Sequence, residues 1–204
     1  MNRVTLPQNK GNSLLFHACA HVNYKDIQAL LEDQEADVNA RNINGATPLH
    51  YGVQVNNANV CQILLEFQAN PNIQDYHDVG EKTPLHYAVE KNQFKVAQIL
   101  LEYGADPNIK DKRGMTSLHY AARYGFKELV QLLLNAGSDV NVRDDNGFNP
   151  SFWAEMNKHQ DILTILPPPK SIAPEDYTEF KMQLREIHKI NVKLPKKKKK
   201  KKKK

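Results

Sequence analysis

The sequence predicts an all-α solenoid, in which helix pairs stack side by side, joined by β-hairpin or turn loops and followed by a C-terminal helix and a disordered tail. Two observations carry this reading. His17, His50, His86 and His119 recur at a nearly constant interval, and Asp37, Asn70, Asp106 and Asp139 follow them at one fixed offset. A unit of about 33 residues therefore recurs. Between these landmarks run VCQILLEF, VAQILLEY and LVQLLLNA, whose apolar residues fall at helical spacing.

Taken in chain order, residues 1–11 form a lead-in and residues 12–166 hold about five repeats, the first and last degenerate. Thr47, Thr83 and Thr116 are suited to cap a first helix, and Pro48 and Pro84 stand at its first position, where a missing N–H costs nothing. At the same distance past each threonine comes Asn56, Asn92 or Gly125, the types that best tolerate the left-handed conformation of a helix terminator. Gly104 and Gly137 close the second helix in two repeats, and Gln68 fills the matching place in another. Three extra residues around YHDVGEK, just ahead of Thr83, lengthen a hairpin tip and stretch one of the histidine intervals. The fifth copy puts Asn149 and Pro150 where Thr47 and Pro48 stand.

Residues 167–173 follow as a stiff proline spacer, because residues before proline avoid the helical region. Residues 174–190 predict an amphipathic helix. Glu175, Asp176 and Glu179 come early and Lys181, Arg185 and Lys189 late, an order that suits the helix dipole. Its seam of Tyr177, Phe180, Leu184 and Ile187 must bury against something, either the last repeat or a helical partner. Residues 191–204 are a poly-lysine tail that cannot form a core.

The chain has 204 residues, 40% apolar and 25% charged, enough for one cored domain with an appendage. Its formal charge of +5 hides a division: removing the nine lysines from Lys196 to Lys204 leaves −4 on the remainder. No apolar stretch approaches bilayer length, and the N-terminus lacks the apolar region of a secretory leader. The expectation is a cytoplasmic or nuclear monomer. Cys19 and Cys61 are too few for a disulfide framework or a cysteine-rich zinc site.

The TPLH opening, the ILLEYGADPN close and the KDKRGMT hairpin, recurring at this period, resemble the ankyrin repeat over roughly residues 10 to 166. The resemblance implies hairpins projecting to one side and a concave groove lined by the first helices. It also implies that the repeated histidines are structural, tying one unit's loop to the next. Distance agrees, since packed helices lie about 8 to 10 Å apart whereas zinc sits about 2 Å from each ligand nitrogen. His17 and His21 in HACAH could face one way on a helix, but no acidic third ligand lies near them in sequence.

Cys19 and Cys61 fall on apolar helix positions and read as buried small hydrophobes. Phosphate loops, nucleophilic triads and paired carboxylates are not among the motifs, so the sequence suggests neither an enzyme nor a cofactor. The expected function is protein binding. Carried over from the family, the contact positions are Ile43, Asn44, Gln54 and Val55; Asp78, Val79, Lys82, Glu90 and Lys91; Lys112, Arg113, Met115, Arg123 and Tyr124; and Phe148. Met115, Arg123, Tyr124 and Phe148 would be the anchor, on the expectation that they are exposed. Two further classes stay open. The lysine tail could bind polyanions without sequence preference, and Asn39 and Asn141 lie in contexts resembling those modified by an asparaginyl hydroxylase.

Overall fold

A computed structural model describes residues 8–76 and 80–167. The repeat body belongs to the first of two units, Met1–Pro168 and Pro169–Lys204. The amphipathic helix of 174–190, the tail of 191–204 and the spacer beyond Pro167 lie outside the described residues.

Among the described residues the fold is all-helical, in five pairs: α1 (Gln8–Ala20) with α2 (Tyr24–Glu32), α3 (Pro48–Gln54) with α4 (Ala58–Glu66), α5 (Pro84–Glu90) with α6 (Phe94–Glu102), α7 (Ser117–Tyr124) with α8 (Lys127–Asn135), and α9 (Pro150–Met156) with α10 (Gln160–Leu163). Odd-numbered helices pack on one another along the stack and even-numbered ones back them. No described helix is long and apolar enough to cross a membrane.

The local chemistry repeats because the sequence does. Thr47, Thr83 and Thr116 are N-caps of α3, α5 and α7, each in a capping box with the histidine at the third helical position. The box satisfies two backbone donors that a helix start would leave unpaired. Asn56, Asn92 and Gly125 follow these helices with φ of 53°, 54° and 79°. The next amide reaches back over the last turn, as in Asn57 to the Gly52 carbonyl and Gln93 to Ala88, which is Schellman closure. Gln68, Gly104 and Gly137 do the same for the outer helices, at φ of 65°, 84° and 87°.

The core is two columns of apolar side chains. Leu49, Leu85, Leu118 and Phe152 fill the inner layer and Leu64, Leu100, Leu133 and Ile162 the outer, all nearly fully buried. Each repeat thereby covers its neighbour's apolar face.

The first repeat departs from the expected register. Its equivalences with the second run one position longer than the spacing from His17 to His50: buried Leu15 matches Leu49, N-cap Asn23 matches Asn57, and left-handed Val22 and Gln34 match Asn56 and Gln68. Phe16, not His17, therefore takes the histidine place. Its ring meets Tyr51 edge-on at 5.1 Å, as His50 meets Tyr87 at 6.0 Å. His17 is exposed and stacks on His21 at 4.1 Å. The extra residue is absorbed near Glu35 and Ala36, whose amides both point at the Leu30 carbonyl.

Two boundaries also shift. Helix α1 begins at Gln8, inside the expected lead-in, and α10 ends at Leu163, short of Leu166. The early start brings Gly11 against the loop carrying the extra residue, where a Cβ would overlap the Glu35 carbonyl. Gly11→Ala should therefore cost about 1 to 3 kcal/mol in urea unfolding, as overpacking against backbone does. An unchanged midpoint would show that this approach is not tight.

Candidate interaction groove

Each repeat histidine is a clasp between units. Nδ1 of His50, His86 and His119 accepts from the backbone N–H of Thr47, Thr83 and Thr116 at 3.1, 3.2 and 3.1 Å. Their Nε2–H donates to the carbonyls of Lys82, Met115 and Phe148, each at 3.1 Å and each in the next repeat. Burial pushes all three imidazoles below their ordinary pKa, His86 to about 4.

A second ladder, not anticipated from sequence, organises the hairpins. Asp111 Oδ1 accepts from the amides of Arg113 and Met115, and Oδ2 from the Tyr120 hydroxyl at 2.6 Å. Asp144 does the same for Asn146, Phe148 and the Trp153 indole N–H. Asp75 holds the Lys82 amide and the Tyr87 hydroxyl. In the first hairpin Asn42 substitutes, accepting from Asn44 and Ala46 and donating to the Tyr51 hydroxyl. The available signal was an Asp or Asn several residues ahead of each Thr-X-Leu-His and an aromatic residue just after each histidine.

A third ladder runs through Asn39, Asn72 and Asn108, whose side-chain oxygens accept from the amides of Asn70, Asp106 and Asp139, each at 2.8 Å. Asn39 is thus engaged in the stack, whereas Asn141 is exposed.

These ladders set the inner helices and hairpins into a concave face. Gln54, Lys91, Arg113 and Tyr124 are exposed on it, with Arg123 and Glu90 half-buried. Ile43 stands almost fully exposed (97%) at a hairpin tip beside Asn44, and Lys112 is exposed at another. Val55 is half-buried. Asp78 and Val79 lie outside the described residues. Arg123 lies over the Trp153 ring at 4.9 Å and Tyr124 at 5.8 Å, and Arg113 donates to the Tyr120 hydroxyl.

Three assigned contact residues need correction. Met115 and Phe148 are 2% and 5% exposed. They close the hairpins, accepting the histidine clasps and the Asp111 and Asp144 amides, and the Phe148 ring stacks on Phe152 at 3.9 Å. Of the expected anchor only Arg123 and Tyr124 reach the surface. Lys82 is also buried, its ammonium 2.8 Å from Glu90 and over the rings of Tyr87 and Tyr120 at 5.4 and 4.6 Å.

The concave face deepens into a cavity of about 420 Å³ lined by Asn42, Asn44, Ala46, His50, Tyr51, Gln54, Asp75, Tyr87, Glu90 and Lys91. Cys19 and Cys61 are buried, and burial pushes both thiols up to about 12, which makes them poor nucleophiles. Among the described residues no three His, Cys, Asp or Glu side chains converge to hold a metal.

The chain matches the family described as ankyrin repeats in three copies, over residues 15–111 and again over 104–174. It belongs to the ankyrin-repeat family, whose members generally mediate protein–protein interaction without catalysis. An ADP-ribosylation factor GTPase-activating protein of Arabidopsis thaliana, AGD4, is 39% identical over 66 residues, 32% of this chain and 8% of that protein. Ankyrin repeat protein L371 of Acanthamoeba polyphaga mimivirus is 38% identical over 68 residues, 33% of this chain and 9% of that protein. The matched stretch thus spans less than a tenth of the length of either relative.

Proposed function

We propose that this chain is a non-enzymatic adaptor that holds a protein partner on its concave face, in the cytoplasm or nucleus. The supporting observation is the cavity between the inner helices and hairpins, lined in part by exposed Gln54 and Lys91, together with exposed Tyr124 and half-buried Arg123 at the end of the inner helix α7. Aromatic and arginine side chains held on a rigid face are the usual anchors of such contacts. The lysine tail, with nine positive charges against −4 on the remainder, adds electrostatic affinity or directs location.

The test is affinity capture with three proteins: the full chain, a tail deletion lacking residues 196–204, and a groove variant carrying Gln54→Lys, Lys91→Glu, Arg123→Glu and Tyr124→Ala. The groove variant should lose the captured protein and the tail deletion should keep it. RNA binding should behave oppositely, because lysines that neutralise phosphates release condensed counterions. Each phosphate neutralised steepens the log-affinity against log-salt slope by about 0.7 to 0.9. Should the tail deletion keep full RNA affinity and the same slope, polyanion binding belongs to the repeats and the division of labour fails.

A further inference from the structure

We propose that the cavity beside Ala46 is a slot for a basic side chain, lysine or arginine, presented by an extended partner segment. This rests on the docking function proposed above and specifies what the groove selects.

The residue just ahead of each helix-capping position differs from repeat to repeat. In successive repeats these are Ala46, Lys82, Met115 and Phe148. The last three are buried; Lys82 lies over Tyr87 and Tyr120, and Phe148 packs edge-on to Trp153 at 6.3 Å. Ala46 has only a methyl group at that place. The space a longer side chain would occupy is the cavity of about 420 Å³ that Tyr51 and Tyr87 line. The chain therefore fills this slot with its own side chain in three repeats and leaves it open in one.

The lining decides what fits. Met115 is the apolar filler in the repeat whose inner helix carries Arg123 near its end, and Phe148 in the one carrying Met156. Lys82 is the filler where Glu90 holds that place, bound at 2.8 Å. A carboxylate thus accompanies the cationic filler; in the open repeat Gln54 holds that place, and the carboxylates come instead from Asp75 and Glu90 of the next repeat. The open slot is lined by the carboxylates of Asp75 and Glu90, the amides of Asn42, Asn44 and Gln54, and two tyrosines, against one cation, Lys91. Glu90 holds Lys82 through Oε2, which leaves its other oxygen available as an acceptor. An alkyl stem can lie along the tyrosines while its charged head meets acceptors, the arrangement Lys82 adopts one repeat along.

The probes are five-residue peptides with a central lysine, arginine, norleucine or glutamate flanked by glycine and serine, titrated into isotopically labelled full chain and followed by NMR. Lysine and arginine peptides should shift the Ala46, Asn44 and Gln54 signals saturably and bind roughly ten-fold tighter than norleucine, the margin a desolvated cation over aromatic rings supplies. Ala46→Lys, which supplies the missing filler, should abolish those shifts. Gln54→Lys, at an exposed position, should weaken binding and Gln54→Glu strengthen it, which keeps the test decisive if Ala46→Lys folds poorly.

Equal binding of norleucine, or no saturable response to lysine, overturns the assignment. If the peptides fail while the groove variant still loses its captured protein, the docking function survives and the slot does not. If lysine peptides bind but the groove variant keeps its protein, the slot is upheld and the docking of that partner lies elsewhere.

Discussion

Asp111→Ala is expected to lower stability by about 3 to 5 kcal/mol, the loss associated with leaving several buried donors unpaired. Asp111 is 5% exposed, and its carboxylate receives three hydrogen bonds, from the amides of Arg113 and Met115 and from the Tyr120 hydroxyl. Alanine leaves all three without that acceptor in a buried setting. The damage should spread, because the Met115 carbonyl also receives the His86 clasp. Asp111→Asn should cost far less, about 1 kcal/mol. Asn42 performs the same task in the first hairpin with an amide, accepting two backbone N–H groups through its oxygen and donating to Tyr51. Urea unfolding of the two variants makes the comparison. Equal losses from alanine and asparagine would mean that the charge, not the hydrogen-bond geometry, is what the hairpin needs.

The same residues show what was legible in the sequence. Period, capping threonines and left-handed terminators are local signals, fixed by a few neighbouring residues, and they located α3 to α8 well. The register of the first repeat was not local. His17 precedes His50 by the same interval that separates His86 from His119, and does so by coincidence. The packing of Leu15 and Phe16, with the Asn23 cap and left-handed Val22 and Gln34, shows that the true spacing is one position longer. A one-residue surplus near Glu35 hides that offset from any alignment anchored on the histidines.

The groove was harder, because residue type does not fix exposure. Methionine and phenylalanine are frequent in interfaces and in cores alike, and Met115 and Phe148 proved to be core. What decides between the two is whether the groove beside them is already filled. That depends on aromatic residues contributed by neighbouring repeats, a full period away in sequence. Ala46 carries no signal in the sequence for the same reason, since its importance lies in the volume it leaves.

Acid is expected to destabilise the fold from about pH 6.5 downward. Burial holds the folded-state pKa of His86 at about 4, opposed by the nearby Asp111 charge, and lowers those of His50 and His119. The geometry adds to the effect. Nδ1 of His86 already accepts from the Thr83 N–H, so a proton arriving there would meet a donor instead of an acceptor. The unfolded chain takes up its proton near pH 6.5, and the folded chain resists until the lower value. Between those values the unfolded state binds more protons, so stability falls as pH falls. From about pH 6.5 to 4 the His86 displacement alone corresponds to about 3 kcal/mol, with His50 and His119 acting in the same direction. Urea unfolding at pH 7.5, 6.0 and 5.0 should therefore show a falling midpoint. In His86→Gln the midpoint at pH 7.5 should be lower and its dependence on pH shallower, because one of the three groups no longer titrates. A wild-type midpoint unchanged from pH 7.5 to 5.0 would mean that the clasps accept protonation in the folded chain, and that the imidazoles are less enclosed than their contacts imply.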